Sequence, residues 1–401
     1  MTERHPANEL IHHAYRAPAG FASPQVAVHK ASTVIFANTT ALRARNPRLG
    51  GEQPQGYTYG LHGTPTTYAL EARIARLEGG THCALVPSGL AAVALVDQAF
   101  LAQGDEVLLP HNVYGPSREL ARQELARWGI THRFYDPMDA AALMALMGPQ
   151  TKLIWLEAPG SITMEFPDLR GLVAAANSKN VLTAIDNTWG AGLAFNAFEL
   201  GIDIVMQALT KYPSGGGDVL MGSVVTRNQA LHEKILFSHL RLGLGVAAND
   251  AELVLRSLAT LPIRYHHQDM TARHLATWLQ ARPEVLRVLH PALPGAPGHA
   301  HWRSTCTAAA GLFSVMLDER FSAAQIDAFV DALRLFKIGF SWAGPMSLVV
   351  PYDLAAMRPA EGLAASNLRG HLVRFSTGFE EPAALIADLE QALNSTLATV
   401  R

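Results

Sequence analysis

The chain has 401 residues, of which 49% are hydrophobic and 16% charged, and its formal net charge is −2 at pH 7. One hydrophobic core rarely supports this length, so we expect two domains and an appended segment. The composition excludes a disordered protein, and the charge gives no sign that nucleic acid is a partner. Cys83 and Cys306 lie far apart, outside any metal or redox motif, which favours a reducing compartment.

The N-terminus is polar and lacks the apolar core of a signal peptide. The most apolar stretch, residues 83–102, is interrupted by Ser88, Asp97 and Gln98. It therefore predicts a strand, a turn and a buried helix rather than a membrane span. We expect a cytoplasmic protein without a membrane partner.

Residues 1–60 are rich in Pro and Gly and contain few periodic apolar runs. A segment that cannot build its own core usually packs on another surface. We therefore predict an N-terminal arm, residues 1–60, that contacts a neighbouring subunit.

From Gly63 onward, short apolar runs alternate with helical patterns, for example at 118–128 and 168–178. This alternation predicts an α/β fold with a mainly parallel sheet covered by helices on both faces. Such sheets bind ligands at the carboxyl ends of their strands. The predicted strands are 83–86, 106–109, 133–135, 153–156, 181–185, 204–208 and 220–226.

After about Leu258 the pattern changes to longer helices, at 264–281 and 323–333, with a few strands. This predicts a ligand-binding domain over residues 61–258 and a smaller α+β domain over 259–401. The Pro- and Gly-rich stretch 291–298 is expected to be a loop of the second domain.

The strongest chemical signal is a pair of residues at the ends of two predicted strands. Asp186 ends one strand, and Lys211 follows the next. Alone, Asp186 is more often a turn residue and Lys211 a solvated strand terminus. Together they are the pair that pyridoxal phosphate needs, because a lysine binds its aldehyde and a carboxylate keeps its pyridine nitrogen protonated. The pair predicts that cofactor.

Two glycine-containing segments are weaker signals. In 86–92 a strand runs into Ser-Gly and an apolar helix, so the backbone N–H groups of Gly89 and Leu90 would face an anion such as the cofactor phosphate. Alone, this is a common helix N-cap. The glycines of 213–218 would let backbone approach a ligand closely, or would form a flexible connector.

These segments resemble the cysteine and methionine metabolism family of pyridoxal-phosphate enzymes, and within it the bacterial cystathionine β-lyases. The resemblance runs from about Tyr57 to the C-terminus, with several long motifs in the right order. It implies the fold-type I architecture of these enzymes, with a seven-stranded sheet. The motifs that carry it are 59–66, 77–80, 156–165, the segments around Asp186 and Lys211, and Ser341-Trp342.

The resemblance also implies roles around the cofactor. Lys211 would form the Schiff base and act as the catalytic base, and Asp186 would be the partner of the pyridine nitrogen. Tyr114 would stack on the ring and assist proton transfer. Contacts to the phosphate would come from Gly89, Leu90 and Thr210, and from Tyr59 of a neighbouring subunit.

On the substrate side, the resemblance makes Arg374 the clamp for the α-carboxylate, a role that suits the planar guanidinium. Ser341 and Trp342 would border that site, together with Tyr59 of the neighbour. The implied assembly is a dimer-based homo-oligomer, with a tetramer favoured.

The implied reaction is α,β-elimination of L-cystathionine to homocysteine, pyruvate and ammonia, a step of methionine biosynthesis. The alternatives in the same family are a cystathionine γ-synthase and a methionine or cystathionine γ-lyase. Ser341-Trp342 and residues 159–165 favour the β-lyase. A non-catalytic ligand-sensing module is a remote alternative, which the intact lysine, aspartate and arginine disfavour.

Three positions depart from the family pattern. Leu61 stands where most relatives have an arginine that contacts phosphate, and Ala208 where many have a serine. Met346 replaces a glutamate that often follows the Ser-Trp motif. The 17 histidines include His266-His267 and His299/His301, but neither group has the ligand spacing of a metal site, so we expect no metal.

Overall fold

The structure is a computed structural model that describes residues 6–12, 19–21, 23–45, 56–357 and 368–397. A seven-stranded sheet has the order β1-β7-β6-β5-β4-β2-β3. Its strands are β1 (His82–Val86), β2 (Glu106–Pro110), β3 (Thr131–Tyr135), β4 (Thr151–Glu157), β5 (Leu182–Asp186), β6 (Ile204–Gln207) and β7 (Gly222–Thr226). β7 runs antiparallel to both of its neighbours, and the other four pairings are parallel. The predicted mainly parallel seven-stranded sheet is confirmed.

Nine helices belong to the first two-thirds of the described chain. They are α1 (Pro6–Ile11), α2 (Thr39–Arg43), α3 (Pro65–Glu78), α4 (Gly89–Phe100), α5 (Gly115–Leu120), α6 (Ala140–Leu146), α7 (Leu169–Ser178), α8 (Gln229–Leu242) and α9 (Ala248–Leu258). Successive residues of β4 enter different cores, because side chains alternate along a strand. Ile154 belongs to the core that includes residues of α3, α7 and α9, and Trp155 belongs to the core that includes residues of α4 and α8. Helices therefore cover both faces of the sheet, as predicted.

The rest of the chain forms a second, smaller sheet with the order β10-β11-β12-β9-β8. Its strands are β8 (Val285–Leu289), β9 (Leu312–Leu317), β10 (Lys337–Ile338), β11 (Leu348–Tyr352) and β12 (His371–Ser376). The helices of this part are α10 (Leu261–Gln280), α11 (His299–Thr305), α12 (Ala323–Asp331), α13 (Leu354–Met357) and α14 (Pro382–Thr396). α9 ends at Leu258, where the sequence pattern changes. The division of the chain at that point stays a prediction.

Element boundaries differ from the sequence prediction where local chemistry decides them. The helix predicted at 118–128 begins at Gly115, with Pro116 in its first turn, and passes through a π-helical turn, Ala121–Leu125. β7 begins two residues late, after Leu220, whose side chain is exposed. Within residues 1–60, α1 and α2 have six and five residues, and several other positions lie outside the described residues. No helix in the described ranges combines the length and apolarity of a membrane span.

Candidate active site

A cavity of about 480 Å³ lies at the carboxyl ends of β4, β5 and β6, and residues of the second sheet close it. Asp186 is the last residue of β5, and Lys211 follows β6 by four residues. Arg374 reaches the cavity from the middle of β12. The carboxyl ends of parallel strands meet at one edge of a sheet, which is where such folds bind ligands. The structure thus brings the predicted lysine, aspartate and arginine into one cavity.

Lys211 is held in a tight turn beyond β6. Its backbone N–H donates to the Ala208 carbonyl (3.0 Å), and its carbonyl accepts from the Gly215 N–H (2.8 Å). The Nζ donates to the hydroxyl of Ser341 (2.8 Å). Burial, reinforced by the positive charge of Arg374, lowers the pKa of Lys211 from 10.5 to about 8, although Asp186 opposes the shift. A substantial fraction of this amine is therefore neutral near physiological pH.

Asp186 lies at the floor of the cavity and is largely shielded from solvent. Its carboxylate accepts a hydrogen bond from the Thr188 N–H (2.9 Å). Burial raises the pKa of Asp186, while the bonds from Thr188 and the charge of Lys211 act in the opposite direction. A cationic group placed beside this carboxylate would offset the cost of its burial. A protonated pyridine nitrogen is such a group.

The N-terminus of α4 faces the same cavity. Ser88 caps this helix by accepting a hydrogen bond from the Ala91 N–H (3.1 Å). A Cβ atom at Gly89 would lie 2.7 Å from the Cβ of Ala208, so only glycine allows the helix to begin this close to the end of β6. Gly89 and Leu90 line the cavity with the first turn of the helix, where backbone N–H groups favour an anion.

Thr210 also lines the cavity, but its hydroxyl has other partners in this structure. It donates to the Met221 carbonyl (3.2 Å) and accepts from the Met221 N–H (3.1 Å). Its contact with a phosphate stays a prediction. Ala208, where many relatives have a serine, lines the cavity beside Gly89.

Tyr114 stands at the rim, immediately before α5. Its backbone N–H donates to Oε2 of Glu157 (2.8 Å), the last residue of β4. Burial raises the pKa of Tyr114, as do the nearby Asp186 and Glu157 carboxyls. The phenol therefore keeps its proton at neutral pH and can donate it. Desolvation, followed by the charge of Asp186, raises the pKa of Glu157 well above the ordinary range.

Arg374 is fixed by groups from two other segments. One guanidinium nitrogen donates to the Ser341 carbonyl (3.3 Å). The guanidinium carbon lies 5.2 Å from the ring centroid of Tyr352. Burial lowers the pKa of Arg374, and the two tyrosines Tyr352 and Tyr114 counter this shift. The cation is thus oriented and aimed into the cavity.

Trp342 lines the cavity between other aromatic and basic groups. Its ring lies 5.6 Å from that of Tyr212 and 5.8 Å from Nζ of Lys211. The backbone at Ser341 adopts φ of 88°, a left-handed conformation that is uncommon for a residue with a side chain. This bend brings both the hydroxyl and the carbonyl of Ser341 into the site.

Tyr59 is the predicted site residue that does not line this cavity. It is 47% exposed, and its backbone forms an isolated bridge with Thr33. Leu61 packs close to Gly245, and Met346 is exposed. In the described part of the chain, no three His, Cys, Asp or Glu side chains are grouped as metal ligands.

The sequence did not indicate that Glu157 and Tyr352 belong to the site, although both line the cavity. Glu157 ends a buried strand, a position that could have been compared with Asp186 because the two are paired in register on β4 and β5. Tyr352 carries no local signal. It reaches Arg374 because β11 pairs with β12, a contact between distant parts of the chain.

The comparisons with known proteins agree with this geometry. The pattern of the family described as "Cys/Met metabolism PLP-dependent enzyme" matches residues 7–394. The chain belongs to this family. The cystathionine beta-lyase of Bordetella avium is 40% identical over 393 residues, 96% of each chain. The cystathionine beta-lyase of Salmonella typhimurium is 36% identical over 394 residues, 97% of this chain and 98% of that protein.

A solved structure of cystathionine gamma synthase from Xanthomonas oryzae has a TM-score of 0.90 and 28% identity, with full coverage of both chains. The predicted fold-type I architecture and the predicted family are both confirmed. As a member of the Cys/Met metabolism family, the chain is a pyridoxal-phosphate-dependent enzyme similar over nearly its whole length to cystathionine β-lyases. The residues present fit that cofactor, with Lys211 for its aldehyde, Asp186 for its ring nitrogen and the start of α4 for its phosphate.

Proposed function

We propose that this protein is a carbon–sulfur lyase that eliminates homocysteine from L-cystathionine. Water then hydrolyses the remaining three-carbon fragment to pyruvate and ammonia. The observation that carries the proposal is the convergence of Lys211, Asp186 and Arg374 on one cavity. The two similar cystathionine β-lyases support the choice of substrate. The roles of the individual residues follow from their positions.

Bound pyridoxal phosphate supplies an aldehyde that reacts with amines and a ring that accepts electrons from the substrate Cα. Asp186 would keep a proton on the ring nitrogen. Gly89 and Leu90 would hold the phosphate through their backbone N–H groups, assisted by Thr210. Each of these groups fixes the orientation of the reacting centre.

Proton transfer is the work of Lys211 and Tyr114. The amine of Lys211, with a pKa of about 8, takes the proton from the substrate Cα in its neutral form. Ser341 orients the Nζ from 2.8 Å away. The sulfur of homocysteine leaves with a proton from Lys211 or from the Tyr114 hydroxyl, whose raised pKa keeps it protonated.

Arg374 binds the α-carboxylate of the substrate. The Ser341 carbonyl and the Tyr352 ring hold the guanidinium so that its planar fork faces the cavity. Trp342 forms an apolar wall for the thioether chain. The carboxylate clamp thus fixes which substrate bond faces Lys211.

The decisive experiment is product analysis with L-cystathionine and the purified holoenzyme. Pyruvate is the expected 2-oxo acid, because elimination at Cβ leaves a three-carbon product. 2-Oxobutyrate would identify a γ-lyase instead. Formation of cystathionine from cysteine and an O-acylated homoserine, measured in a parallel assay, would identify a γ-synthase. No turnover with bound cofactor would favour the ligand-sensing module.

We further propose a dimer-based homo-oligomer in which Tyr59 of one subunit contacts the phosphate in the neighbour's site. Tyr59 is half exposed at the end of the N-terminal arm and does not line the cavity of its own chain. Exposed apolar side chains, including Ile35 at 91% exposure, lie on the same arm. Assembly and cofactor retention would then be linked.

Mixing of two crippled variants tests this assembly. Tyr59→Phe is expected to weaken cofactor binding and Lys211→Ala to abolish turnover. Exchange of their subunits should restore part of the activity, because one site of a mixed dimer would hold an intact Lys211 and an intact Tyr59. Tyr57→Phe is the matched control, since Tyr57 stacks on Tyr68 within its own chain. No recovery, with exchange shown by differently tagged subunits, would contradict the shared site.

A further inference from the structure

The loop between β4 and α7 forms one wall of the cavity in a strained conformation. Ile162 and Met164 have φ of 70° and 60°, and both side chains are buried and line the cavity. Positive φ is a genuine outlier for a β-branched residue such as Ile162. Such a conformation is strained and persists only where the surrounding structure holds it in place.

Hydrogen bonds to neighbouring residues hold this loop in its positive-φ conformation. The Ser314 hydroxyl donates to the Ile162 carbonyl (2.5 Å). The carboxylate of Glu165 accepts from the Thr163 hydroxyl (2.6 Å) and from the Asn112 amide (3.0 Å). These bonds tie the loop to β9 and to the segment before α5. The Ile162 side chain therefore has a fixed place rather than an adaptable one.

The anchor of the Ile162 main chain lies on the second sheet, which also carries Arg374. Ser314, which holds the Ile162 carbonyl, is paired in register with Arg374 on the neighbouring strand β12. Side chains directly opposite each other on adjacent antiparallel strands point to the same face of the sheet. The Ile162 carbonyl is thus anchored to the same face of the second sheet that carries the proposed carboxylate clamp.

Ile162 also separates two spaces. A second cavity of about 10 Å³, the size of a single water molecule, adjoins the first. Three residues line both cavities: Ser161, Ile162 and Met357. Removal of the Ile162 side chain would open the main cavity toward the second, which His111 and Asn112 help to line.

We propose that Ile162 is a specificity-determining residue that limits the bulk of the substituent on the substrate sulfur. The inference rests on the proposed carbon–sulfur lyase function and names the group that selects its thioether substrates. A partition held in place by the backbone cannot move aside for a larger group. One additional methylene against such a wall changes discrimination by about 10-fold or more.

Two substitutions at this position test the proposal. Ile162→Ala and Ile162→Gly both remove the partition, and only glycine also relieves the positive φ. Turnover is measured with the holoenzymes on S-alkyl-L-cysteines of increasing chain length, with pyruvate as the product. The ratio of kcat/KM for long over short chains is expected to rise about 10-fold or more in both variants. Asn180→Gly is the control, since Asn180 also has positive φ but lies exposed after α7.

Thermal unfolding distinguishes the effect of removing the Ile162 side chain from the effect of relieving its positive φ. Glycine usually destabilises a protein relative to alanine, but at this position Ile162→Gly is expected to be at least as stable as Ile162→Ala. A wild-type enzyme that makes no pyruvate from any thioether contradicts the proposed function. An active wild type with the same chain-length preference in both folded variants contradicts the role of Ile162 alone.

Discussion

Lys211→Ala is expected to lose turnover by about 10⁴-fold or more, because it removes both the covalent anchor of the cofactor and the base at the substrate Cα. In the structure, Lys211 Nζ lies 2.8 Å from Ser341 Oγ, between the charges of Asp186 and Arg374. No other lysine lines the cavity in the described part of the chain, so no neighbour can substitute for it. The variant should also lose the visible absorbance of lysine-bound pyridoxal phosphate.

Steady-state pyruvate release and the absorbance spectrum are the measurements for this variant. Circular dichroism and thermal unfolding establish that the fold is retained. Lys179→Ala is the matched control, since Lys179 is an exposed lysine at the end of α7. Wild-type activity in the folded Lys211→Ala variant would overturn the assignment of Lys211 as catalytic.

The main sheet could be predicted because most of its strands are short and largely buried apolar runs; the edge strand β3 is the exception. All five residues of β2 and of β7 are buried, which gives a strong local signal. The same logic located Asp186 and Lys211, since a polar residue that ends an apolar strand lies at the ligand-binding edge of a parallel sheet. Strand order was not needed for that inference.

Tyr352 and Ile162 could not be predicted in the same way. Tyr352 meets Arg374 through the pairing of β11 with β12, and Ile162 is held by Ser314 from β9. Both contacts join segments far apart in the chain, and their register is set by the whole second sheet. The positive φ of Ile162 opposes its local preference, so no propensity scale indicates it.

Tyr59 illustrates a different limit on what one chain can predict, namely a contact between subunits. Within one chain, this residue lies outside the cavity, and its expected role depends on a surface of another subunit. Neither the sequence pattern nor the fold of a single chain contains that contact. The subunit-mixing experiment therefore tests a contact between subunits, which the positions of Lys211 and Asp186 within one chain do not reveal.

Electrostatic coupling connects the proposed base to the proposed carboxylate clamp. The positive charge of Arg374 contributes to the lowered pKa of Lys211, whereas Asp186 acts against it. A substitution that removes the charge of Arg374 would raise the pKa of Lys211 and so change the proton-transfer group as well as substrate binding. A test of the clamp must therefore keep the charge.

Arg374→Lys meets this requirement, and its KM is expected to rise about 10- to 100-fold. The ammonium keeps the positive charge but cannot make two parallel bonds to a carboxylate. A charged hydrogen bond contributes about 1.5–3 kcal/mol, and each 1.4 kcal/mol corresponds to about a tenfold change in affinity. Cofactor affinity should change little, because Arg374 belongs to the second sheet, whereas the expected phosphate contacts come from the start of α4.

The measurement is KM and kcat for L-cystathionine across pH, with cofactor affinity determined in parallel. Arg369→Lys is the matched control, since Arg369 is an exposed arginine just before the same strand. Arg374→Leu is the third variant, because loss of the charge should raise the pKa of Lys211 and shift the pH dependence of kcat. Arg374→Lys keeps the charge and should leave that pH dependence unchanged. An unchanged KM in Arg374→Lys would mean that the substrate carboxylate binds elsewhere, because no other feature of this substitution offsets the loss of the guanidinium fork.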